Sequence, residues 1–204
     1  MRYRAVAVAL VALAASGCGP AGGDSGGRDQ GREQTVNMQQ ASDRADEILD
    51  ATLAAVRPGV EARRGPSTDS ICTDFKNDAT GAGQVIRRRY VVTVISPERR
   101  GSFVGVVERH WKAQGYEIST VRPSKENPAV FANSPEGFQL TVKIGYKGQA
   151  FFSVASNCVT ESEVVEPDRE PFDPDSPEAT GLPYIESPFW SAGTPVPSPS
   201  GGAG

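Results

Sequence analysis

Phe138, Leu140, Val142, Ile144 and Tyr146 alternate with Gln139, Thr141, Lys143, Gly145 and Lys147. Successive side chains of a strand point to opposite faces, so this strict period of two predicts a strand with one buried and one wet face. Lys147-Gly148 then turns the chain into a second apolar stretch, residues 150–159. The register across this hairpin decides which residues enter the core. A two-residue loop sets Ile144 opposite Phe151 and leaves Phe152, Val154 and Cys158 wet. A three-residue loop with Gly148 as the bulge residue sets Val142 opposite Phe152 and Leu140 opposite Val154, which puts the longer apolar set inside. The second register is the predicted one.

The rest of the body supplies partners for this hairpin. Ala41, Ala45, Ile48, Leu49, Thr52, Leu53 and Val56 recur at steps of three and four, predicting a helix over residues 36–56 that Pro58-Gly59 ends. Residues 60–70 read as a connection rich in Arg, Gly, Pro, Ser and Thr. Residues 85–95 are dense in β-branched and aromatic types and predict a strand, covered because both faces are apolar. Ser96-Pro97 reads as an N-cap with Pro at the first helical position. Phe103, Val104, Val107 and Trp111 fall on one face of the helix that follows, and Gly115 stops it. Gly101 and Gly105 weaken its first half, so the helix is expected to begin as late as Ser102. Residues 116–121 and 129–132 read as two further strands, the second joined to residue 138 by the turn Ser134-Pro135-Glu136-Gly137. Helices segregated to one face of such strands make an α+β fold. The expectation is a two-layer sandwich, an antiparallel sheet of about five strands against two helices, over residues 36–160.

The N-terminus carries a different message. Arg2 and Arg4 precede eleven apolar residues, 5–15, and Ser16-Gly17 are small residues suited to a signal peptidase. This reads as a secretory signal over residues 1–17, too short to span a bilayer as a mature helix. Residues 18–35 hold Gly among Asp, Arg, Ser and Gln and read as a flexible tether. Of three cysteines, Cys18 follows the signal, which leaves Cys72 and Cys158 to bracket the body. An odd count closes if Cys18 is modified and the other two are bridged. Such a bridge would stabilise the fold by roughly 4–5 kcal/mol in the chain-entropy model. A reactive pair is the alternative, but the CxxC spacing of redox motifs is absent.

Residues 161–204 hold nine of the sixteen prolines and nine acids against Arg169 alone. They read as a disordered acidic tail. One apolar island interrupts it, with Tyr184, Phe189 and Trp190, and suggests either loose contact with the body or a short linear motif for a partner.

Chemistry is sparse. His110, the single histidine, lies beside its helix's apolar stripe without an assignable nucleophile. The acids form no carboxylate pair, and His and Cys lack metal-ligand spacing, so no catalytic residue, metal or cofactor is assigned. Gly81-Ala82-Gly83 lacks the Lys of a phosphate-binding loop. Arg87-Arg88-Arg89, with Arg63-Arg64 and Arg99-Arg100, could form a basic patch for anionic lipid, anionic wall polymer or the acidic tail; nucleic acid is not expected outside the cell.

Ala15-Ser16-Gly17-Cys18 resembles the lipobox of bacterial lipoproteins, with Ala15 where Leu is usual. The resemblance implies that the Cys18 thiol takes a diacylglycerol and becomes the first residue of the mature chain, anchored to the membrane. More broadly, residues 1–160 resemble the small lipoproteins of actinobacteria. The likeness lies in that lipobox and tether, in Glu108-Arg109-His110-Trp111 leading to Gly115-Tyr116, in Glu136-Gly137-Phe138, and in Ser156-Asn157-Cys158-Val159. That group supplies a location and a fold but no reaction. The functional expectation is a non-catalytic, membrane-anchored binding module of the envelope, meeting an envelope protein or anionic wall polymer. The alternative is an accessory protein holding a small solute between sheet and helices. Trp111, Tyr116, Tyr184, Phe189 and Trp190 are the candidate contacts for ligand or partner.

Overall fold

The computed structural model describes residues 36–166 and 175–196. The expectations for the signal, Cys18, the tether and the two remaining tail stretches lie outside these residues. Helix α1, Met38–Ala54, opens on a capping box. The Asn37 side chain accepts from the Gln40 N–H, and the Gln40 side chain accepts from the Asn37 N–H. Strands β1 (Ala62–Arg64), β2 (Thr68–Thr73) and β3 (Ala79–Val91) follow. Helix α2, Arg100–Ala113, precedes a meander of β4 (Glu117–Arg122), β5 (Ala129–Asn133), β6 (Gln139–Ile144) and β7 (Ala150–Ala155), and β8 is the short Val159–Thr160.

The sheet is open and antiparallel, in the order β1-β3-β7-β6-β5-β4, with β2 and β8 also paired to β3. Two helices and an antiparallel sheet match the expectation, but the strands number eight rather than about five. The additional ones are β1 and β2, drawn mostly from residues 60–70 that read as a connection, and the short β8, set apart from the end of the expected strand over residues 150–159. The thirteen residues of β3 are long enough for β1 and β2 to share one edge while β7 and β8 share the other.

The β6–β7 register is the predicted one, with Val142 opposite Phe152 and Leu140 opposite Val154. Phe152 is 1% exposed and Phe151 36%. Gly148, at φ +86°, is the bulge residue, and a Cβ there would strike the Ile95 backbone. Both helices lie on the face that carries Phe152. Phe103 of α2 meets the Phe152 ring edge-on at 6.1 Å, and Trp111 Nε1 donates to Thr52 Oγ1 of α1 at 3.0 Å. α2 ends at Gly115, φ +77°, where the Tyr116 N–H returns to the Trp111 carbonyl at 2.9 Å. Its start differs from expectation. Ser96 supplies no side-chain cap; its hydroxyl donates to the Ala192 carbonyl at 2.6 Å, and the helix opens at Arg100.

The arginines form no single exposed patch, because residues two apart share a strand face, but Arg87 does meet the acidic tail. Arg87 and Arg89 point inward beneath α1 and are buried, while Arg88 points to the other face. Arg89 pairs with Asp46 and Asp50 of α1 at 2.8 and 3.0 Å, and Arg87 pairs with Glu166 at 2.8 Å. Arg99 and Arg100 are buried as well.

A disordered tail does not describe residues 161–166 or 182–192. The first run follows β8 along α1, with the Val165 N–H donating to Gln39 Oε1. In the second, Ile185 forms a parallel bridge with Thr93, and the Trp190 indole enters the core. Trp190 is 1% exposed, lies 5.2 Å from Phe103, and donates through Nε1 to the Pro58 carbonyl at 2.6 Å. Composition averages hide this, because a single large aromatic with a satisfied N–H can anchor a proline-rich segment.

Three substitutions check this packing. Trp190→Ala should cost about 3–5 kcal/mol in urea denaturation, as for a core aromatic, whereas a loosely attached tail would leave stability unchanged. Phe152→Ala should cost a similar amount, and Phe151→Ala about 1 kcal/mol or less.

Candidate functional site

A cleft of about 360 Å³ opens at one end of the domain. Its walls come from three places in the chain: the first turns of α1, the β5–β6 turn, and the segment from β7 to β8. The capping box fixes Gln40, and Arg44 lies one turn further along the same helical face. The β5–β6 turn is a three-residue loop closed by the Ser134 N–H to the Phe138 carbonyl at 2.8 Å, with Gly137 at φ +88°. A side chain on Gly137 would collide with the Asn157 amide, so glycine lets the two walls approach. Val36, Phe138 and Val159 line the apolar interior, with Ser156 and Asn157 on the far wall.

The rim is polar. Arg44 grips Glu136 with two bonds, Nε to Oε2 at 2.8 Å and Nη2 to Oε1 at 2.9 Å, and Nη1 reaches Glu47 at 2.9 Å. The hydrogen bond from Arg44 holds the Glu136 carboxyl below its ordinary value, and the bonds to Glu136 and Glu47 raise Arg44 further. Tyr116, delivered by the stop after α2, lies within reach of this pair. Burial pushes its phenol up, Arg44 opposes that, and Glu136 adds to it. Such an arrangement can hold an apolar group in the cleft while its rim offers fixed charges and a phenol. No cluster of three His, Cys, Asp or Glu with metal-binding potential occurs among the described residues. Burial pulls His110 below 6.5, and it has no place in the cleft.

The expected contact residues are dispersed. Trp111 is buried and bonded to Thr52, so it is core and not a ligand contact. Tyr116 stands near the rim without lining the cleft. Trp190 is buried, Phe189 packs on Trp190 and under the Arg99 guanidinium at 4.6 Å, and the Tyr184 N–H donates to the Val92 carbonyl. These three are therefore parts of the chain's own fold rather than a free motif. Cys72 and Cys158 form the disulfide, with Cα atoms 6.2 Å apart. The residues that build the cleft, Gln40, Arg44, Glu136 and Asn157, carry no local motif. Arg44 and Glu136 are 92 positions apart and meet only through the fold.

No protein-family model matches the chain, and no curated protein matches it. Among solved structures, the chain is similar to a DUF4853 family protein from Actinomyces odontolyticus, at 11% identity and a TM-score of 0.39, over 71% of this chain and 76% of that one.

Arg44 and Glu136 are 41% and 49% exposed, so their pair should contribute about 1 kcal/mol or less. Because the folded carboxyl is depressed, that contribution is complete above the ordinary value of 4.5 and is lost as pH falls through the folded value. A carbon-13 titration should place the Glu136 midpoint below 4.5, and Arg44→Met should return it toward 4.5. An unchanged midpoint would remove Arg44 as the cause.

Proposed function

We propose that this chain is an exported lipoprotein, attached to the membrane through acylated Cys18, whose domain acts on the extracytoplasmic face as a non-catalytic binding module of the envelope. The observation that carries the reading is the Cys72–Cys158 disulfide. Cys158 is exposed, and bonds of this kind persist where thiols are not kept reduced. An oxidising compartment agrees with the signal-like residues 1–17. The layer between sheet and helices is filled by Trp111, Phe103, Phe152 and Trp190, which favours recognition at the surface over a solute held inside. The cleft beside Arg44 and Glu136 is the recognition site in this reading, for a partner that presents an apolar group.

Cys18→Ser should move the protein from the membrane fraction into the medium; retention in the membrane would count against lipid attachment. For the binding role, pull-down from detergent-solubilised membranes should recover a partner with the wild type and lose it with Arg44→Ala/Glu136→Ala. A partner held equally by both does not use the cleft.

A further inference from the structure

Eight large hydrophobic residues are exposed among the described residues, and four of them gather at one end of the domain: Val36, Ile71, Phe75 and Val165. Pairing shows that they belong together. Ile71 lies opposite Gly83, and Gly83 opposite Val159. The Thr160 N–H donates to the Val36 carbonyl at 3.1 Å, and the Val165 N–H is held by Gln39 of the first turn of α1. Phe75 is the extreme case at 91% exposed. It sits at the tip of the β2–β3 hairpin, in a three-residue loop closed by the Asp74 N–H to the Asp78 carbonyl at 2.9 Å. The loop is built firmly. Asp74 Oδ1 accepts from the N–H groups of Lys76 and Asp78, at 2.8 and 3.0 Å, and the Cys72–Cys158 disulfide ties the hairpin to the rest of the domain three residues earlier. A phenylalanine held out on a braced projection has no role in this chain's own core.

We infer that this end of the domain lies on the membrane, with the Phe75 ring in the lipid–water boundary. The inference rests on the lipid attachment proposed at Cys18. Seventeen residues separate Cys18 from Val36, so Val36 is held within at most about 60 Å of the anchor. The exposed apolar residues surround the point where that chain enters the domain. The opposite end carries another exposed aromatic, Tyr146 at 70%, in the β6–β7 turn beyond Val91. The length of β3 sets Tyr146 about 40 Å further away. The contact is apolar rather than electrostatic. Lys76 lies beside the Phe75 ring at 5.5 Å, but Asp74, Asp78 and Glu161 share the same end. A neutral, zwitterionic surface therefore suffices, and salt has little to screen.

The test uses the full-length, acylated chain in phosphatidylcholine vesicles containing brominated lipid, with a fluorescent thiol label at Phe75→Cys or at Tyr146→Cys. Peptide mapping verifies the Cys72–Cys158 bridge and the acyl group on Cys18. Bromine should reduce the Phe75→Cys signal by roughly half or more, as for a label held about 5–10 Å into the lipid–water boundary. It should leave Tyr146→Cys unchanged, equally at low and high salt. If Cys18 is acylated and the protein sediments with vesicles, but Phe75→Cys is unquenched or no more quenched than Tyr146→Cys, the inference fails and the anchor stands. A free Cys18 thiol on a protein that stays in solution sinks both. Quenching that vanishes in high salt would overturn the apolar contact.

Discussion

The fold depends on how β3 and α1 face one another. Most inward positions on the sheet carry Val, Leu, Ile or Phe, but β3 turns Arg87 and Arg89 toward the helix. A buried charge is tolerable only when paired, and α1 supplies Asp46 and Asp50 while the chain after β8 supplies Glu166. Arg64 of β1 joins through Asp46 at 2.9 Å. Such clusters are roughly neutral against a hydrophobic replacement, but removing one partner costs about 3–5 kcal/mol because it strands the other. The cluster thus acts on specificity. A rotation of α1 that would be cheap against an apolar sheet would here strip the buried Arg89 of Asp46 and Asp50, which favours a single seat for the helix. That seat in turn aims Arg44 at Glu136 and sets the cleft.

The C-terminal segment completes the structure from the other side. Ser96 and Val94, at the crossing from β3 to α2, bond to Ala192, Trp190, Ser191 and Ile185. Trp190 fills the space between Phe103 and Pro58. These contacts explain why α2 begins at Arg100 without a capping side chain: Ser96, the natural candidate, is committed to the tail. A proline-rich segment orders at low entropic cost because its backbone is already restricted, and one tryptophan then suffices to fasten it.

What could be read from the sequence follows from locality. The β6–β7 register was legible because strict alternation allows few solutions and Gly148 selects among them. Gly115 marks the end of α2 for the same reason, a signal held in a few adjacent residues, while the disulfide, 86 positions apart, is legible because three cysteines leave few ways to pair. β1 and β2 escaped notice because Arg63, Arg64, Thr68, Asp69 and Ser70 lie at the edge of the sheet, where no face demands apolar alternation. The inward arginines were unreadable because their partners lie on another element, and Trp190 because its pocket is made of residues around 58, 95 and 103. The cleft is the extreme case, since every wall comes from a different part of the chain.

One turn geometry recurs at three places and separates scaffold from display. The loops after Asp74, Ser134 and Gly145 each hold three residues, each closed by a pair of backbone bonds, with Asn77, Gly137 and Gly148 in the left-handed region. That geometry needs only the last loop residue to be permissive, which leaves the two tip positions unconstrained by the fold. They hold Phe75-Lys76, Pro135-Glu136 and Tyr146-Lys147. Glu136 meets Arg44 at the cleft, while Phe75 and Tyr146 stand in solvent at opposite ends of the sheet. A rigid sheet with interchangeable tips is where recognition is most cheaply placed. Phe75, on a turn that a smaller polar residue would serve equally well, takes no part in the core, and that is the ground of the membrane contact proposed for it.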